Sequence, residues 1–199
     1  MNARAAGAWL AAAALLFWLS WALMPAVGIT DTRLIFEKVA AHASGVRASV
    51  VLQLVSAACY APAGVGIARL PAAESRRGLA IGAVLLLIGA MGSAADAVLH
   101  LLAVEMVAPG IDRDAMIPVM ERMQGPNLAL LGPLIAAFFA GSVVLSIGFA
   151  RAGLVSRWNP WLLALALPAL AVGGGLALLA CVSASQAWLG AALLRGGRA

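Results

Sequence analysis

Residues 78–107 read GLAIGAVLLLIGAMGSAADAVLHLLAVEMV, an apolar run that nonetheless carries Asp96, His100 and Glu105. About 20 apolar residues suffice for a helix to cross the ~30 Å hydrocarbon core of a bilayer, so this stretch decides the fold as a membrane helix. An ionisable side chain at the centre of such a helix costs about 2.5–3.5 kcal/mol on insertion scales. It therefore needs a partner, a cavity or the water interface. Asp96 and His100 are four apart and share one helix face, a turn from each other. Gly82, Gly89 and Ser93 continue that face toward the N-terminal end as small residues that let another helix approach. At 100° per residue Glu105 falls about 180° from Asp96. It belongs in the headgroup region, just before Ala108, Pro109 and Gly110 break the helix.

The rest of the chain agrees. Of its 199 residues 64% are hydrophobic and 11% charged, with a mean hydropathy of +1.01, whereas soluble domains carry about a quarter charged residues. The net charge of +5 is spread over loops, and no stripe of bases interleaved with aromatics points to nucleic acid. Cys59 and Cys181 sit inside apolar runs and read as small buried hydrophobes. Lys38 is the only lysine against twelve arginines in an Ala- and Gly-rich chain, a bias of GC-rich coding that points to a bacterial inner membrane.

The expected architecture is one all-α integral-membrane domain over 1–199, a helical bundle of about five spans at 6–27, 48–69, 78–107, 128–150 and 160–190. Two short amphipathic interfacial helices complete it. Arg4 and the following apolar run resemble a signal peptide, but the run exceeds the ~7–15 residues of a secretory core and reads as a retained first span. Trp9, Trp18 and Trp21 read as lipid or interface anchors. Asp31 caps the first amphipathic helix, in which Arg33 and Glu37 pair at i, i+4, and His42 lies at its end. Pro62 should kink the second span. Arg69, Pro71, Glu74, Arg76 and Arg77 form a basic connection. Asp112–Met123 repeats the amphipathic pattern with Met116, Met120 and Met123 on one side, and Gln124–Asn127 terminate it. Gly141, Ser142 and Ser146 are packing positions on the fourth span.

From Trp161 to Trp188 the rise is about 40 Å, close to the full membrane thickness. One long helix is more economical than two short ones, with Pro168 and Gly173–Gly175 as possible bends and a sixth partial span as the alternative. The second span ends Gly66-Ile-Ala-Arg69 and the fourth Gly148-Phe-Ala-Arg151, each following an amphipathic segment. This suggests a parallel duplication. A cytoplasmic N-terminus puts Arg4, Arg69, Arg76, Arg77, Arg151 and Arg157 inside in short loops, with Arg195 and Arg198 outside.

The candidate polar site is then Asp96 and His100 with Ser93, toward the outer side, and His42 able to swing in. The plain reading of the Asp96–His100 pair is a carboxylate and an imidazole that reduce each other's cost of burial. The sharper one is a proton relay, a haem or metal ligand, or the polar end of a lipophilic-substrate pocket. No metal set is assigned, because closing a coordination shell needs more ligands than these.

Phe149-Ala-Arg-Ala-Gly-Leu-Val-Ser-Arg-Trp158, after a Gly/Leu-rich span, resembles the re-entry segment of bacterial polytopic membrane proteins of unknown function. The amphipathic 33–39 segment before a span is similar as well. The resemblance implies a fold and no catalytic residues. The leading expectation is a non-catalytic bundle in the lipid bilayer, acting as an accessory subunit with a protein partner or as a homo-oligomer. It rests on the lack of a nucleophile–base pair, phosphate loop or multi-ligand motif. A membrane enzyme or binder of haem, quinone or another lipophilic ligand through Asp96 and His100 is the first alternative. An oligomeric transporter or proton-coupled carrier is the second.

Overall fold

The computed structural model describes residues 2–70 and 75–196, and within them every side chain except those of 127, 128, 167 and 169–173. Pro71, Glu74 and Arg198 lie outside the described residues. The chain is an all-α membrane bundle. Its described helices are α1 (Ala3–Ala22), α2 (Thr32–Ala41), α3 (Ala43–Ala68), α4 (Arg76–Met106), α5 (Arg113–Arg122), α6 (Leu128–Arg151), α7 (Asn159–Ala164) and α8 (Ala166–Leu194). Five stretches are long and apolar enough to cross a membrane: α1, α3, α4, α6 and the Gly174–Leu194 part of α8. Leu15, Val51, Ile81, Met91 and Leu130 stand exposed on the outside of the bundle, as side chains facing acyl tails would.

The polar caps lie where the residue types demand. Asn2 accepts from Ala5 N–H at 2.8 Å, Asp31 from Leu34 N–H at 3.0 Å, and Asp112 from Asp114 and Ala115 N–H at 3.0 and 3.3 Å, each satisfying donors that a helix start leaves free. One local expectation is corrected. Arg33 pairs with Asp114 of α5 at 2.9 Å and so joins the two short helices, where i, i+4 spacing had suggested Glu37. α5 ends at Arg122, as expected, and Met123–Asn127 form a π-helical turn that leads into α6. Pro62 lies inside α3.

Inter-helix contacts give the direction of each span. Ser49 and Ser56 of α3 donate to the carbonyls of Ser20 and Ala13 of α1, at 2.7 and 2.8 Å. As one number rises the other falls, so the pair is antiparallel. α4 and α6 are likewise antiparallel and packed backbone to backbone. A Cβ on Gly82 would sit 2.9 Å from Leu145 N, one on Gly141 2.6 Å from Leu86 N, and one on Gly89 would strike Phe138. Close approach through small residues is the membrane's substitute for the hydrophobic effect, which cannot drive apolar helices together in lipid.

The C-terminal helix overturns the expectation of a single helix over 160–190. Gln186 meets Ser142, and Ser185 shares Asn159 with Ser146. Gly190 abuts Gly7, and Gly175 faces Val27. From Gly174 onward α8 therefore runs in the same direction as α6, and the intervening chain must climb back first. Residues 159–173 make that ascent, about 22 Å at 1.5 Å per residue, too short to cross the hydrocarbon alone. Gly174, at φ 68° and ψ −166°, reverses the chain in a region open essentially only to glycine.

The chain thus forms three helical hairpins: α1 and α3, α4 and α6, and the 159–173 ascent with 174–194. The first two carry a short amphipathic helix at the same end, as the parallel duplication requires. Both described termini lie at the opposite end, since Gly7 contacts Gly190 and Leu193. This corrects the placement of Arg195, which shares an end with Arg4, Arg69, Arg76, Arg77, Arg151 and Arg157. A second apolar cluster, built on Met24, Ile35, Phe36, Val39, Met120 and Met123, seals the end occupied by α2 and α5.

Candidate polar site between two cavities

The polar residues of the middle span face inward. Asp96 Oδ2 accepts from Gln53 Nε2 of α3 at 3.1 Å, and the same amide nitrogen lies 3.3 Å from Ser93 Oγ. Gln53 is 1% exposed, so its amide can be solvated only by these partners, and an N–H donated to a carboxylate is a stronger bond than one between neutral groups. His100 Nδ1 stands 3.6 Å from Asp96 Oδ2, close enough to attract when the ring is charged and too long for a hydrogen bond. The indole of Trp21 meets the His100 ring edge-on, with centroids 5.5 Å apart and planes at 88°.

This group forms the wall between two cavities. One, of about 190 Å³, lies beneath the α2–α5 cap among Met24, Ile35, Val39, Met120 and Met123. The other, of about 370 Å³, lies deeper in the bundle against Phe17, Phe138, Phe139 and Leu179. Trp21, Val27, Asp96 and His100 line both. Trp21 Nε1 and His100 Nδ1 are buried without a hydrogen-bond partner. Such groups are uncommon in folded proteins and mark a place where a further partner belongs. An indole nitrogen can only donate, so at Trp21 that partner must be an acceptor.

Asp96, His100 and Ser93 are brought together, and His42 is not. His42 caps the junction of α2 and α3, with Nδ1 3.1 Å from the Lys38 carbonyl, and lines neither cavity. Glu105 lies outside the site in an exposed contact with Arg47 at 3.4 Å. Trp21 and Gln53 are the members that sequence reasoning missed. Trp21 was read as an interface anchor, yet only Trp9 and Trp18 of that set are exposed. Gln53, an amide inside an otherwise apolar span, was a legible signal.

A second polar system ties the bundle deeper down. Tyr60 donates to Gln186, whose Nε2 donates to Ser142 Oγ at 2.7 Å, which in turn donates to the Phe138 carbonyl at 2.8 Å. Asn159 bonds Ser146, Ser185 Oγ and the Ser185 carbonyl. Satisfied on both sides, these groups pin the third hairpin to α3 and α6 and leave no atom free for chemistry. Among the described residues no group of three or more His, Cys, Asp or Glu side chains could hold a metal ion. Compared with family models, curated proteins and solved structures, the chain matches none, so its function is read from this geometry.

Proposed function

We propose that the protein is a non-catalytic membrane receptor for a small lipophilic molecule whose head carries a hydrogen-bond acceptor, such as a quinone or acyl carbonyl. The observation that carries this reading is the pair of unpartnered buried nitrogens, Trp21 Nε1, which can only donate, and His100 Nδ1, on the wall shared by two cavities. The larger, at about 370 Å³, falls in the ~300–1,000 Å³ range of small-molecule sites. Its aromatic wall suits an apolar body, and the polar wall suits the head. Asp96, bonded by Gln53, stands beside His100 on that polar wall.

The charge distribution supports a cytoplasmic N-terminus. Arg4, Arg69, Arg76, Arg77, Arg151, Arg157 and Arg195 gather at one end, while at the other Arg33, Lys38, Arg47, Arg113 and Arg122 are mixed with the acids of α2, α5 and their flanks. The positive-inside rule assigns the arginine end to the cytoplasm. The ligand would then enter from the outer leaflet of a bacterial inner membrane.

The test is a titration of the protein in nanodiscs with a decyl-benzoquinone probe. Saturable binding is expected, weakened about tenfold in Trp21→Phe, as losing one hydrogen bond of about 1.4 kcal/mol implies. Absence of saturable binding, or wild-type affinity in both Trp21→Phe and His100→Leu, would overturn the proposal. A Soret band in the purified protein would replace it with haem binding.

A further inference from the structure

A second, separate opening lies at the arginine end, between the start of α4 and the end of α6. Ser75, Gly78, Val144, Ile147, Gly148 and Arg151 line a cavity of about 290 Å³ there. Ser75 is 7% exposed, and its Oγ is buried without a hydrogen-bond partner. It is also the N-cap of the 31-residue helix α4 but makes no side-chain capping bond, so its hydroxyl is not spent on the helix start beside the cavity. A helix start carries partial positive charge and favours anions. Arg151 reaches the same space from α6, and Arg76 and Arg77 stand exposed in the first turn of α4. No described acid forms an ion pair with any of these arginines.

From these observations we infer that the cleft between α4 and α6 binds a phosphate group, carried by the head of an anionic membrane lipid. A free hydroxyl, a helix start and a guanidinium converge on it, and a phosphate supplies three or more acceptor oxygens to match them. The cleft is also amphiphilic in the way a lipid requires. Its far wall is Val144 and Ile147 on the flank of α6, Ile147 being exposed, which leaves an acyl chain a path along the outside of the bundle. Basic pockets between membrane helices recognise anionic heads in this manner. Gly78 keeps the entrance clear, while Gly148 is packed against Leu79 of α4. A Cβ on Gly78 would meet nothing within 4 Å, so the space beside it is open rather than packed.

The experiment is native mass spectrometry of the full chain, released from nanodiscs of phosphatidylcholine alone or mixed with phosphatidylglycerol. The wild type is expected to retain phosphatidylglycerol in preference. Arg151→Gln is expected to retain it about tenfold less, as losing one charge-assisted hydrogen bond implies. Gly78→Leu places its Cβ where no protein atom lies within 4 Å, extends an apolar side chain into the cleft and replaces glycine with a better helix former, so it should abolish retention while keeping thermal stability near the wild-type value. Unchanged retention in both variants would sink the assignment. Equal retention of the two lipids, with inorganic phosphate bound by the wild type and lost in Arg151→Gln, would give the site to the free ion and overturn the lipid reading.

Discussion

At the scale of single residues, Gln53 decides whether Asp96 can be buried. The carboxylate is 15% exposed and receives one amide N–H at 3.1 Å. Gln53→Leu leaves it without that donor and is expected to lower stability by about 1–3 kcal/mol, the cost of a stranded polar group. Asp96→Asn keeps the shape and still accepts from Gln53, so it should shift stability by less than about 0.5 kcal/mol. Unfolding in mixed micelles measures both, and in the double variant the loss should shrink, because the stranded charge is gone. Equal losses in the two single variants would mean that the amide bond does not carry the burial of Asp96. Tyr60→Phe tests the deeper network. It removes one of the bonds that hold Gln186, and is expected to cost about 0.6 kcal/mol and at most ~1.7, the range for such bonds in membrane bundles.

Two glycines act at the scale of the helices, for different reasons. Gly89 has an ordinary helical backbone but lies against Phe138 of α6; any larger side chain must push the helices apart. Gly89→Leu is expected to cost about 3 kcal/mol or more through overpacking. Gly174 has open space around it and a backbone that only glycine adopts readily. Gly174→Ala should cost about 1–3 kcal/mol with no steric clash, and should loosen the third hairpin alone. Hydrogen exchange separates the two: Gly89→Leu should raise exchange in α4 and α6, Gly174→Ala only in residues 159–194. Exchange spreading to α4 in Gly174→Ala would mean that the hairpin is not an independent unit.

At the scale of the molecule, five full crossings and the partial ascent of residues 159–173 put both described ends on one side. Single cysteines at positions 4, 157 and 195, in a background with Cys59 and Cys181 replaced by alanine, should react with an impermeant thiol reagent only when the arginine face is open to it. Cysteines at 33 and 114 should react only from the opposite face. Labelling of 4 and 195 from different sides would remove the partial ascent of residues 159–173. The α2–α5 cap follows from the same arrangement. Arg33 and Asp114 are both exposed, and an exposed pair contributes only about 0–1 kcal/mol, so the cap is held chiefly by its apolar floor.

How much of this was legible beforehand follows from what each feature depends on. Apolar run length and local spacing determined the membrane class, the main spans, the cap at Asp31, the glycine strip of α4 and the shared face of Asp96 and His100, because bilayer thickness and the helical repeat act within one segment. Partner choice was decided only by the tertiary structure. The inward turn of Trp21, the bond from Gln53 to Asp96, the pairing of Arg33 with Asp114, the cavity wall and the reversal at Gly174 all depend on which helix stands beside which. In lipid that choice is made by side-chain fit and interhelical hydrogen bonds between distant segments, and neither is written into the periodicity of any one of them.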